Sequence, residues 1–256
     1  MLKRFANASQ IVTVDSFGTG RKRGSDASCL NTLSGHDLIV ENGRVKDFIP
    51  SNSPLTIPHR TVDVKDKVIT PGFVECHTHS LFAGDRSAEF RMKLEGKSYE
   101  DIAAMGGGIV SSVKAIRETS ESDLLSLLLK RIDIFVSQGV TSLEIKSGYG
   151  LSYEAELKML RVIKKAASLR NINIIPCFLG AHSVPTELKN DRKKYLSIIV
   201  DELLPRIKGE NLATRCDAFC ERSAFSPVEV EQVFTVAKSL GFQLTLHTEQ
   251  FNNIGG

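Results

Sequence analysis

Up to about residue 68 the apolar positions fall in short β-branched runs separated by turns, and no helical repeat appears. Ile11-Val12-Thr13-Val14 reads as a strand, continuous with Gln10. Asp37 to Val40 and Arg44 to Ile49 flank Glu41-Asn42-Gly43, whose Asn-Gly step is a strong hairpin signal because both turn positions need positive φ. Thr61 to Val64 is a further strand, and Gly18–Gly35 and Pro50–Pro58 are loops rich in Gly, Ser and Pro. A small β-sandwich module over residues 1–68 is expected.

Beyond Pro71 the pattern changes to apolar runs alternating with segments of helical period. Strands are predicted at Gly72–His77, Val140–Ile145, Ile172–Leu179, Cys216–Cys220 and Phe242–His247. Between them come a capping-box start at Ser98-Tyr99-Glu100-Asp101, a Gly106-Gly107-Gly108 run and a helix capped by Ser120 that carries Leu124, Leu128, Ile132 and Phe135 and stops at Gly139. Further helices begin after Ser152, with Glu154 and Glu156 suited to a positive helix start and Leu157, Leu160 and Ile163 on one face, and lie within Arg192–Ile207. The last starts at Ser226-Pro227-Val228-Glu229 and ends at Gly241. This alternation predicts parallel βαβ units, so an α/β fold: a doubly wound sheet or a (β/α)₈ TIM-like barrel. Residues 69–256 hold about five such units, where a barrel needs eight.

Composition narrows the classes little. Hydrophobic residues at 41%, charged residues at 25% and a net charge of +3 suit a globular protein and give no basis for nucleic-acid binding. Cys29, Cys76, Cys177, Cys216 and Cys220 are odd in number, lack paired metal-binding spacings and read as free thiols. No apolar run is long enough to span a membrane, and a cytoplasmic location is the default; Lys3 and Arg4 lend the N-terminus only a faint transit-peptide flavour. Gly106-Gly107-Gly108 is no P-loop, and no G-x-G-x-x-G opens a helix.

Candidate chemistry gathers at the strand ends. His77 and His79, one residue apart, project from the same face of a strand roughly 6.5 Å apart and can chelate one divalent metal. Later strands end in Glu144 to Gly150, in Gly180-Ala181-His182, in Glu221, and in His247-Thr248-Glu249-Gln250. Barrel enzymes carry their active groups at these ends, and four of the six histidines lie there; His36 and His59 do not.

The blocks at these positions resemble the amidohydrolase superfamily and, within it, the imidazolonepropionase family. They are Pro71-Gly72-Phe73-Val74 leading to His77-Thr78-His79, Phe82-Ala83-Gly84-Asp85-Arg86, Gly106-Gly107-Gly108-Ile109, Glu144 through Leu151 with Glu156 to Arg161, Phe178 through Pro185, Phe219-Cys220-Glu221 and Leu246 through Gln250. H-x-H is shared across the superfamily; K-S-G-Y-G-L and L-G-A-H-x-V-P are the specific pieces. Glu75 stands where the family usually has Asp.

The resemblance implies metal-dependent hydrolysis of the cyclic amide of 4-imidazolone-5-propanoate to N-formimidoyl-L-glutamate, a step of histidine degradation. It assigns His77, His79 and His247 to one zinc or iron ion and Arg86 to the substrate's carboxylate. Tyr149, His182 and Gln250 become substrate contacts, with His182 also catalytic in steadying the carbonyl oxygen. It implies a small-molecule substrate, a possible homodimer, and no nucleic-acid or membrane partner. The family's remaining ligand, an aspartate on strand eight, and a histidine on strand six are not in the sequence, so the chain is expected to be truncated before strand six and to turn over little substrate alone. Two other classes stay open: another cyclic-amide hydrolase or deaminase of the superfamily, dihydroorotase-like or guanine-deaminase-like, and a non-catalytic truncated scaffold.

Overall fold

The β-branched runs of the first 72 residues form two small sheets. The computed structural model describes residues 1–98, 101, 105 and 107–256, in two compact units, 1–72 and 73–256. In the first, β1 (Leu2–Ala6), β2 (Gln10–Val12), β3 (Thr32–Leu33), β4 (His36–Glu41), β5 (Arg44–Pro50), β6 (Arg60–Asp63) and β7 (Val68–Ile69) assemble in the orders β5-β4-β1-β6 and β3-β2-β7. Asn42 and Gly43 both take positive φ, which is why this dipeptide closes the β4–β5 hairpin. The strand expected through Val14 stops at Val12, and Val14 itself sits at φ 53°, where a β-branched residue is strained. β1 is an addition. Its Arg4 ion-pairs with the buried Asp37 of β4.

The second unit holds five parallel strands: β8 (Phe73–Thr78), β9 (Val140–Lys146), β10 (Asn173–Ala181), β11 (Arg215–Cys220) and β12 (Gln243–Thr248). Their order in the sheet is the chain order, β12-β11-β10-β9-β8. A doubly wound sheet reverses direction at a switch point, whereas each strand here adds to the same side, as in a barrel wall. The fold is thus a partial (β/α) barrel with a separate small β module.

Helices α1 (Ser87–Leu94), α2 (Ile109–Glu118), α3 (Glu121–Ser137), α4 (Tyr153–Leu169), α5 (Arg192–Ser197), α6 (Leu204–Gly209) and α7 (Pro227–Ser239) connect the strands. α1 and α2 fill the long excursion after β8, where periodicity predicted only the Ser98 start. Ser98 and Asp101 do exchange hydrogen bonds, while Tyr99, Glu100 and Gly106 lie outside the described residues. Ser120, Ser152 and Ser226 cap their helices as expected, Ser226 in a full capping box with Glu229. α5 and α6 are joined by a π-helical segment, Ile198–Leu203, that ends two positions before Pro205, whose missing N–H and bulky ring disfavour regular α geometry in the preceding turn.

Period-two alternation in β9 explains the core. Leu143 and Ile145 pack into the apolar cluster with Leu128 and Ile132 of α3 and Leu157, Leu160 and Ile163 of α4. Glu144 and Lys146 point to the opposite face, the barrel interior. Each fully buried Leu or Ile contributes roughly 1.5–3 kcal/mol, so this layer holds the strand ends in place. At the sheet edges β8 leaves Phe73 and Val74 exposed and β12 leaves Leu246 partly so.

Candidate functional site

The strand ends bring six aromatic side chains into one cluster. The His77 ring lies 5.7 Å from that of His79 and 5.3 Å from that of His247, centroid to centroid. His79 stacks on His182 at 4.9 Å and lies tilted against Tyr149 at 4.7 Å, and His247 stacks on Phe219 at 4.7 Å. Two imidazoles sharing a tetrahedral zinc have centroids about 5 Å apart, given metal–nitrogen bonds of about 2.1 Å. The His77–His79 and His77–His247 spacings fall near that value.

The ring chemistry points the same way. Burial, then the neighbouring His182, His77 and Lys146, hold His79 down to about 2. Burial likewise holds His182 at about 4 and lowers His77. These rings are neutral near pH 7 and keep a lone pair for a cation. His79 Nδ1 is buried with no hydrogen-bond partner among the described residues, and a buried imidazole nitrogen calls for one. The residues therefore fit a divalent metal, although among the described residues no three His, Cys, Asp or Glu side chains form a closed ligand set.

Beneath the histidines runs a charged network that strand periodicity did not reveal. Lys146 is buried and ion-pairs with both Glu144 and Asp217, the latter at 2.8 Å. Arg215 reaches Glu144 at 2.8 Å, and His247 Nδ1 lies 3.1 Å from Asp217 Oδ2. Burial pulls against the charge on Lys146, but its hydrogen bonds and ion pairs with Asp217 and Glu144 leave it above the ordinary lysine value. Burial opposes ionisation of Asp217 too, yet hydrogen bonds from His247 and Lys146 bring it to about 2. An ionised Asp217 accepts a hydrogen bond from His247 Nδ1–H and leaves Nε2 free to face the cluster, the orientation second-sphere carboxylates impose on ligating histidines. A buried Asp in the otherwise apolar Cys216–Cys220 run was the available signal, since a lone buried carboxylate needs partners.

A cavity of about 520 Å³ adjoins the cluster and is lined by Arg86, Lys114, Arg117, Tyr149, His182 and Phe219 among others. Arg86, just ahead of α1, is exposed and ion-paired with Glu89 at 2.6 Å. His182 Nδ1 lies 2.9 Å from the Gly148 carbonyl and so donates to it, leaving Nε2 an acceptor. Tyr149 projects from Gly148-Tyr149-Gly150, where both glycines are required. A Cβ on Gly148, at φ +100°, would meet Leu179 O at 2.8 Å, and one on Gly150 would meet Glu156 N at 2.6 Å. Gln250 is exposed and does not line this cavity. Glu221, singled out only as a strand end, accepts from the backbone N–H groups of Phe251 and Asn252 and so anchors the turn after β12. Of the sequence-derived set, Arg86, Tyr149 and His182 share one cavity, and His77, His79 and His247 adjoin it through stacked rings.

No protein-family model matches the chain. It is 50% identical over 220 residues to an imidazolonepropionase of Acinetobacter baumannii (strain ACICU), covering 85% of this chain and 55% of that protein. It is 45% identical over 224 residues to an imidazolonepropionase of Shewanella sediminis, covering 86% and 54%. The chain spans about half the length of the curated relatives it matches. Among solved structures, an N-isopropylammelide isopropylaminohydrolase from Burkholderia multivorans superposes with a TM-score of 0.61 at 17% identity, over all of this chain and 55% of that one. An atrazine chlorohydrolase from Arthrobacter aurescens, solved with zinc and atraton, superposes with a TM-score of 0.53 at 15% identity, covering 97% and 53%. These likenesses show the amidohydrolase fold, and the sequence likeness shows the resemblance to imidazolonepropionases.

Proposed function

We propose that the protein carrying this chain hydrolyses the ring amide of 4-imidazolone-5-propanoate to N-formimidoyl-L-glutamate. The observation that carries the proposal is the shared wall between cluster and cavity: His79 stacks on His182 and packs against Tyr149, and those two line the cavity that Arg86 also borders. Half-identity to imidazolonepropionases across most of the chain supports the choice of substrate.

In this proposal His77, His79 and His247 hold one divalent ion, zinc or iron. When bound, the ion supplies Lewis-acid activation of water near neutral pH. The chain's own residues do the rest. Arg86 exchanges Glu89 for the substrate's carboxylate, which its guanidinium fork can bind through two parallel hydrogen bonds. The aromatic walls of Tyr149 and Phe219 hold the flat ring and exclude water. His182, neutral and donating through Nδ1 to Gly148, presents Nε2 as an acceptor, which suits a substrate ring N–H. That replaces the expectation that it steadies the carbonyl oxygen, a task that needs a donor. Asp217 and Lys146 fix the His247 ring. The reaction breaks the ring C–N bond, adds water's OH to the carbonyl carbon and returns its proton to nitrogen. Gln250 follows β12 and would close the site near the ring amide. A cytoplasmic location and a homodimer belong to the same proposal; no helix among the described residues is long and apolar enough to cross a membrane.

The test is to load the complete encoded protein with zinc or iron and offer imidazolone-propanoate, dihydroorotate and guanine in parallel. Consumption of the first alone is expected. Preference for either of the others would assign it to another branch of the superfamily, and inertness towards all three would favour a non-catalytic scaffold.

A further inference from the structure

The loop that carries Tyr149 is held from two sides. Glu156, in the first turns of α4, is fully buried. Its Oε1 accepts from Gly150 N at 2.8 Å and Leu151 N at 2.9 Å, and its carboxylate also accepts from Gly148 N at 3.1 Å and from the Ser147 hydroxyl. From the other side Arg117 of α2 donates through Nε to Gly150 O and through Nη2 to Leu151 O, both at 2.9 Å. Its Nη1 pairs with Glu187 at 2.7 Å, just after the His182 segment. Gly150 and Leu151 therefore place their N–H groups on a buried carboxyl group and their carbonyls on a guanidinium. With glycines closely packed on either side of it, Tyr149 is presented by this clamp, and Leu151 beside it lines the same cavity.

We propose that Glu156 and Arg117 are positioning residues that set the Tyr149 ring against His79 and His182. An ordinary helix-start carboxylate would face solvent and meet its own helix's N–H groups; Glu156 instead turns back to the preceding loop. Glu156 acts through Tyr149, and Arg117, which also borders the cavity, holds the same loop from its carbonyl side. The kinetic part of the proposal rests on the substrate role proposed for Tyr149.

The experiment compares wild type with Glu156→Gln, which keeps the volume but exchanges one acceptor oxygen for a donor. In the full chain, hydrogen exchange at Gly148, Gly150 and Leu151 should speed up at least tenfold. Nitration of Tyr149 should rise at least threefold against the buried Tyr195 as internal reference. In the complete encoded protein, KM for imidazolone-propanoate should rise about tenfold with kcat within threefold, and adding Glu156→Gln to Tyr149→Ala should cost nothing more. Unchanged exchange and nitration, or additive kinetic losses in the double variant, would overturn the proposal. Should Glu156→Gln not fold, Arg117→Met perturbs the same loop from outside and must give the same exchange and nitration changes. Absence of turnover by wild type would count against the substrate assignment, and the exchange and nitration arm would still decide the positioning role.

Discussion

Lys146→Met tests the network under the histidines. Lysine and methionine have similar length and flexibility, so the change removes a charge with little loss of packing. In the wild type, Lys146 is 1% exposed, and the Glu144 and Asp217 side chains it bridges are each 2% exposed. After substitution Glu144 keeps Arg215, but Asp217 keeps only the imidazole of His247 and the N–H of Ala218. Removing one partner of a buried ion pair leaves an uncompensated charge and costs about 3–5 kcal/mol. The penalty should depend on pH. An unpaired buried carboxylate has its folded pKa raised, so the folded variant takes up a proton before the unfolded chain does and is stabilised as pH falls. In the wild type Asp217 stays ionised down to about 2, so it contributes no such change between pH 7 and pH 5.5. Urea unfolding of both proteins, followed by circular dichroism, should give a difference of about 3–5 kcal/mol at pH 7 that narrows at pH 5.5. A difference below about 1 kcal/mol, or one that is the same at both pH values, would refute the reasoning.

Other expectations follow from the same geometry. His79 and His182 are held at about 2 and about 4, so in the metal-free chain their contribution to stability is complete above about pH 6.5 and is lost as pH falls through that value, by about 1.4 kcal/mol per pH unit per ring; urea midpoints that stay flat from pH 7.5 to 5.5 would contradict this. Gly148→Ala forces a side chain into left-handed backbone and onto Leu179 O, and should cost at least about 2 kcal/mol in urea unfolding. Gly209→Ala, where a Cβ meets nothing within 4 Å, should be neutral or slightly stabilising.

Much of this arrangement was legible before any coordinates. Alternation of apolar runs and capped helices placed β8 to β12, and the serines at 120, 152 and 226 marked helix starts because a hydroxyl satisfies an N–H that the helix cannot. His77, His79, His182 and His247 stood out because each falls where an apolar run ends. What stayed hidden was the charged network beneath the histidines. Glu144, Lys146 and Asp217 alternate with residues that fill the core, and an apolar-run search registers only the latter. Glu156 looked like a helix-dipole carboxylate, since sequence cannot tell which way a side chain at a helix start turns. α1 went unnoticed because it buries no residue and has almost no amphipathic pattern. β1 lay in a stretch whose Lys3 and Arg4 masked its alternation.

The most direct check on the central claim is identification of the product. Metal-loaded complete protein, incubated with imidazolone-propanoate in ¹⁸O-labelled water, should yield N-formimidoyl-L-glutamate carrying one labelled oxygen by mass spectrometry, and His77→Ala should abolish its formation. Unchanged substrate with metal bound, or the same product rate from His77→Ala, would contradict the account.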